Sequence, residues 1–301
     1  MVKYKTALLF QPDRQDLVEL RQKANHSKWV LDACGEQQPD GSWGRFHTQD
    51  SSLKRKYPVT QNALPRLQYL AMKRGDPVID KACNYMEHLL DDLSLWPDAW
   101  EGNKWFKPAV PLFIVSQLAM FGSSNPTYDA VCNTWLAILE ASFEGEEYSA
   151  QKCNAIAQQL LGVDIHEKNI GLSAKNNILL FACISDRISK ELQAKYLKWL
   201  HHMPEMIHYC NTTLKRQINL IDNLNDLCNY LKVMLHLSPF GAFKDEFAFE
   251  IDWLLAQRDE DGLWDLGNKA GVDKLSDHWR SDINRKIDHT VFVLEILKDV
   301  L

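Results

Sequence analysis

Apolar residues recur along this chain at helical rather than strand spacing, and the breaks fall at Gly, Pro and clusters of Asn, Asp and Ser. Leu17, Leu20, Ala24, Trp29, Val30 and Ala33 mark a first helix that ends at Gly35. After a polar loop reaching Tyr57-Pro58 come VTQNALPRLQYLAMKRG and DPVIDKACNYMEHLLDDL, the second with Asp76 placed as N-cap and Pro77 at the first helical position. The same order of apolar helix, Gly stop, proline-bearing cap and more amphipathic helix returns in KPAVPLFIVSQLAMFG and NPTYDAVCNTWLAILEASFEG. Further helices are predicted over 150–162, 169–184 and 187–200, and in IDNLNDLCNYLKVMLHL, KDEFAFEIDWLLAQ and KIDHTVFVLEILKDVL. About a dozen helices thus alternate between nearly all-apolar and amphipathic, as an inner and an outer ring would require. No linker-like shift in composition interrupts them, so residues 1–301 read as a single all-α domain.

Composition narrows the classes of function. A chain of 301 residues with 46% hydrophobic content can bury a large core. A net charge of −6, with acids and bases interspersed, argues against a nucleic-acid partner, because neutralising phosphates needs a dense basic surface. No stretch reaches the roughly 18 apolar residues of a membrane span, and Ala7 to Phe10 is too brief for a signal-peptide core. Seven cysteines, odd in number and scattered, fit buried thiols in a reducing compartment, so a cytoplasmic location is expected.

The stretch ACGEQQPDGSWG at 33–44 carries the most specific signal. Gln37, Gly41 and Trp43 recur as Gln257, Gly262 and Trp264 in LLAQRDEDGLWDLG, each set following a helix with an aromatic eight residues before the Gln, Trp29 and Phe249. Gly permits a backbone turn that other residues resist, while Gln and Trp can tie a helix end to the following loop. These paired turns resemble the repeat of terpenoid cyclases and protein prenyltransferase β subunits. The resemblance is strongest over 24–90 and 214–300, and implies an α/α toroid, or barrel, of about six helix pairs. A second likeness competes at the same place: Cys34-Gly35-Glu36-Gln37 resembles the internal thioester tetrapeptide of complement-type proteins. Gln37 as a turn residue is not poised to acylate Cys34, so the cyclase-type reading is taken.

In cyclases of this kind the resemblance points to an Asp-x-Asp-Asp-Thr sequence whose acid protonates an alkene or epoxide. Here the segment reads Lys286-Ile287-Asp288-His289-Thr290, which makes Asp288 the candidate catalytic acid without its companion acids. The prenyltransferase likeness is closer. It implies a zinc ion held by Asp226 and Cys228 of an Asp-x-Cys and by His289 of a late His-Thr, leaving a fourth position for a substrate thiolate. Cations for a diphosphate, with magnesium if one is bound, would come from Lys269, Lys274, Arg280, Arg285 and Lys286. Trp105, Tyr230 and Phe292, with Trp96 and Trp100, would line the cavity for an isoprenoid or other apolar small molecule. His201-His202 with His208 and Cys210 form a second possible metal group that reads as a surface loop. The leading expectation is therefore an isoprenoid-handling enzyme, with zinc-assisted transfer of an allylic prenyl group. The alternatives are a non-enzymatic toroid that binds a lipid, peptide or protein partner, and a cyclase acting through Asp288.

Overall fold

A computed structural model describes residues 1–48, 54–165 and 170–301. Residues 49–53 of the predicted polar loop and residue 169, where one helix was expected to begin, lie outside them. Among the described residues the chain forms fourteen α-helices and no strand. The N-terminal three are α1 (Val2–Phe10), α2 (Leu17–Asn25) and α3 (Lys28–Gly35). Next come α4 (Thr60–Tyr69), α5 (Pro77–Asp91), α6 (Phe106–Ala119), α7 (Pro126–Ser142) and α8 (Ala150–Leu161). The remainder are α9 (Lys175–Cys183), α10 (Lys190–His202), α11 (Leu224–Leu237), α12 (Phe243–Glu246), α13 (Ala248–Ala256) and α14 (Asp282–Leu297).

Two predicted helices are interrupted. The first breaks at His26-Ser27 into α2 and α3, and the segment 244–257 breaks at Phe247 into α12 and α13. Helix α1 was not expected, because its sequence is not amphipathic and its most deeply buried polar position is a lysine, Lys5. Asp76 does precede α5, but its carboxylate accepts from Lys73 N–H and pairs with Arg21 instead of capping the helix. Asn125 makes the cap expected of such a residue, accepting from Thr127 and Tyr128 N–H.

The alternation of apolar and amphipathic helices becomes a difference in burial. Ten of the fourteen residues of α6 and seven of the nine of α9 are buried, as largely apolar helices require. Helices α4, α6, α9, α11 and α14 form a file in which each packs on the next. Helix α3 lies on α4, α5 on α6, and α7 on α6 and α9. The two ends of the chain meet: α1 packs on α14, Trp29 Nε1–H donates to Ser276 O, and Arg66 of α4 donates to Lys274 O.

The two Gln–Trp-type turns share one geometry. Trp43 Nε1–H donates to Ala33 O at 2.8 Å and Trp264 Nε1–H to Leu254 O at 2.6 Å, each ten residues back. Their backbone N–H groups donate to Thr60 Oγ1 and Thr290 Oγ1, both at 3.0 Å, so each indole pins a helix end and its amide pins the next helix of the file. This register pairs Gln37 with Arg258, not with Gln257, and Trp29 with buried Glu250, not with exposed Phe249. Gln37 Nε2 donates to Gly41 O and Val78 O, whereas Gln257 reaches only Trp253 O, at 3.4 Å on the surface.

Gly41 (φ 98°) and Gly262 (φ 77°) both take the left-handed backbone, but their surroundings differ. A Cβ on Gly41 would collide with the Lys81 carbonyl oxygen, while one on Gly262 meets nothing within 4 Å. Gly262→Ala should therefore cost about 1–2 kcal/mol from backbone strain. Gly41→Ala should cost about 1–3 kcal/mol more from overpacking. Urea midpoints of the two variants compare them directly.

Candidate functional site

A groove of about 990 Å³ runs along α10. One wall comes from the segment 146–150 that opens α8, and the other from 203–211, which follows α10. Its aromatic wall is Tyr148 stacked on Trp199, ring centroids 4.3 Å apart and 26° between planes, with Phe143 packed behind both. Met203, Met206 and Ile207 face them, with Met206 largely exposed. Methionines adapt their shape to what they contact, and a groove of this volume is of the order of a small-molecule site, roughly 300–1,000 Å³. At the rim are Glu146, Glu147 and Glu205 against Lys195 and Lys198. Lys195 is already tied to Glu191 and the Gly145 carbonyl.

The segment after α10 is a tight reversal closed by Ile207 N–H to Thr212 O at 2.7 Å. Tyr209 (φ 67°) and Asn211 (φ 53°) occupy the left-handed region within it, a conformation that L side chains adopt at a cost. That backbone sets Tyr209 edge-on against both its groove-lining neighbour His208, ring centroids 4.1 Å apart, and His47, where Tyr209 Oη lies 3.4 Å from His47 Nε2. His47 Nδ1 is 2.6 Å from Gln61 Oε1, so Nδ1 carries the proton and Nε2 accepts. Gln61 Nε2 donates to Asn176 Oδ1, which also accepts from Ser116 Oγ. This polar chain links α4, α6 and α9 to the groove wall. Asp98 anchors its start by accepting from the N–H groups of Phe46, His47 and Thr48.

A third group sits where α10 meets α12. His201 Nδ1 lies 3.0 Å from Glu246 Oε1 and its Nε2 lies 3.2 Å from Glu250 Oε1. Burial alone would lower the His201 pKa, but hydrogen bonds and charge from Glu250 and Glu246 more than offset it, and the net shift is upward. Glu250 shifts below the usual carboxylate range: burial pushes it up, and bonds from His201, its own backbone N–H and Tyr230 outweigh that. Glu250 Oε1 accepts from Tyr230 Oη at 3.1 Å, and Phe247 stacks on the His201 ring at 4.7 Å.

The residues expected to act chemically are mostly engaged in holding the fold. Asp226, Cys228 and His289 do not gather. Among the described residues, the group of His, Cys, Asp and Glu whose ligand atoms lie within 4.8 Å of one another is His201, His202 and Glu246. Asp226 sits half-exposed in the first turn of α11 near Arg216. Cys228 is buried, and burial pushes its thiol up, partly offset by an N–H from Gly271. His289 Nδ1 accepts from Leu266 N–H at 3.0 Å, and burial lowers its pKa, so the ring is neutral with that lone pair already used.

Asp288 is buried and accepts from Leu275 N–H, Ser276 N–H and Ser276 Oγ–H, which makes it an anchor for the 275–276 loop rather than an aimed acid. Four of the five proposed diphosphate cations are also engaged, and the fifth, Lys269, is exposed. Arg285 is bidentate on Asp265 and reaches Asp282, Lys286 pairs with Asp259, and Lys274 and Arg280 lie over the Trp279 ring. Trp105, Tyr230 and Phe292 are buried in the core and do not line the groove. His201 and His202 end a helix instead of lying in a loop, and neither His208 nor Cys210 joins them. Gln37 donates both its amide bonds to carbonyls, leaving Cys34 a half-buried thiol raised by burial and by Asp76. None of the seven cysteines is in a disulfide, and no helix among the described residues is long and apolar enough to cross a membrane.

No family model, curated protein or solved structure matches this chain.

Proposed function

We propose that the helices close into an α/α toroid, with α4, α6, α9, α11 and α14 as its inner file. In this reading the chain is a binding module of the architecture shared by terpenoid cyclases and prenyltransferase β subunits. Its ligand is an apolar chain without an anionic head, such as an isoprenoid alcohol or hydrocarbon, seated in the α10 groove. Supporting closure are the meeting of α1 with α14 and the two turns of matched geometry. The observation that carries the ligand assignment is the groove itself, with an aromatic and methionine wall and a rim on which glutamates outnumber lysines. The cations near α14 that could hold a diphosphate are committed to Asp265, Asp282 and Asp259.

Farnesol should therefore perturb tryptophan fluorescence saturably, and Trp199→Phe should remove most of that change despite the nine other tryptophans of the ten in the chain. Farnesyl diphosphate should bind no tighter than farnesol. Tighter binding of the diphosphate by tenfold or more, about 1.4 kcal/mol, would return the account to prenyl transfer.

A further inference from the structure

The geometry points to a metal site at the junction of α10 and α12: His201, His202 and Glu246 bind a divalent transition ion of zinc's class. The buried pair Glu250 and Tyr230 orients His201. Adjacent residues on a helix project about 100° apart, so neighbouring histidines share an ion only if a third ligand lies between them. Glu246 does so: its Oε1 is 3.0 Å from His201 Nδ1 and 3.7 Å from His202 Nδ1. Tetrahedral bonds of about 2.0–2.2 Å set ligand atoms roughly 3.3–3.6 Å apart, and the three ligand atoms, all within 4.8 Å of one another, reach that spacing by side-chain rotation. His202 is 69% exposed at its side chain and can exchange its Nδ1 bond to the Lys198 carbonyl for the metal.

The strongest support lies behind the ligands. A histidine that binds metal through one nitrogen is held by a carboxylate or carbonyl on the other. His201 shows that arrangement: Nδ1 faces Glu246, while Nε2–H points to Glu250 Oε1, which also takes the Tyr230 hydroxyl hydrogen. Glu250 is 3% exposed and its Oε2 has no partner among the described residues. A surface ion pair would need no such buried carboxylate and tyrosine behind it. Two histidines and a glutamate leave one tetrahedral position open. Because His202 also lines the groove, the ion lies at the groove's rim. The site does not depend on what the groove holds.

Equilibrium dialysis of the chelator-stripped chain against zinc tests the site, with cobalt absorption reporting tetrahedral geometry. The expected result is one zinc per chain and a visible cobalt spectrum of tetrahedral type. His202→Gln and Glu246→Gln, both at partly or well-exposed positions, should each weaken zinc at least tenfold while leaving the metal-free melting temperature unchanged. Glu250→Gln, which removes no ligand, should weaken it about 10–100-fold. Cys228→Ala should not change it. Zinc binding no tighter in the native chain than in the His202→Gln/Glu246→Gln double variant overturns the proposal, as does zinc lost in Cys228→Ala and kept in His202→Gln.

Discussion

Lys5→Met should destabilise the fold by about 3–5 kcal/mol, the cost of stranding one member of a buried ion pair. Lys5 is 2% exposed, and its ammonium lies 2.8 Å from Glu295 Oε1, over the Tyr69 ring, donating also to the Tyr69 carbonyl. One side chain thus joins α1 to the end of α4 and to α14, the place where the two chain termini meet. Both partners carry the strain of that position: burial pulls Lys5 down to about 8, and burial pushes Glu295 up. Glu295 Oε2 has no partner among the described residues, so removing Lys5 leaves a buried carboxyl with nothing to hold it. The pair also makes a second, sharper expectation. Lys5→Met/Glu295→Met, which replaces both charges by apolar groups, should recover most of the loss, because the penalty lies in the unpaired charge and not in the absent bond. Urea midpoints of the two variants measure both effects. A double variant no more stable than Lys5→Met alone would contradict the stranded-charge explanation.

Trp43→Ala and Trp264→Ala should each cost about 3–5 kcal/mol, the range for removing a large core aromatic. Trp43 is 0% exposed and Trp264 2%, and each ties a helix end to the next helix of the file. Truncation opens a cavity and removes the indole bond to the Ala33 or Leu254 carbonyl, the latter keeping its bond from Gln257 N–H. Trp→Phe at either position isolates the bond, and should cost about 0.5–1.5 kcal/mol, the net contribution of one hydrogen bond. The flanking residues test the register. Gln37→Ala removes two amide bonds to carbonyls at Gly41 and Val78 and should be felt, whereas Gln257→Ala should change stability by less than about 0.5 kcal/mol, as at an ordinary surface position. Equal losses at Gln37 and Gln257 would restore the simpler alignment of the two turns.

Helix content and most helix limits were legible in the sequence because they follow from local period and from caps such as Asn125 and Pro126. The turn tryptophans were legible for the same reason, since Gly41 and Gly262 mark a backbone that few other residues adopt. The slip at Gln257 shows how little a one-residue alignment error costs in pattern and how much in contact. What could not be read depended on partners distant in the chain. Glu246 meets His201 across 45 residues, so the local reading left the histidines in a loop without a further ligand. Asp288 and His289 matched a catalytic pattern by type and spacing, but their lone pairs are taken by N–H groups of loops at 275–276 and 266. The groove wall depends on left-handed Tyr209 and Asn211, and neither residue type announces that backbone as glycine does.

Hydrogen exchange of the chain with and without saturating farnesol locates the ligand without assuming a chemistry. Added protection is expected in 146–150 and 203–211 and along α10, with α11 and α14 unchanged. Protection centred instead on Asp226–Tyr230 and Lys286–Phe292, with none along α10, would contradict it and place the ligand beside Cys228 and His289.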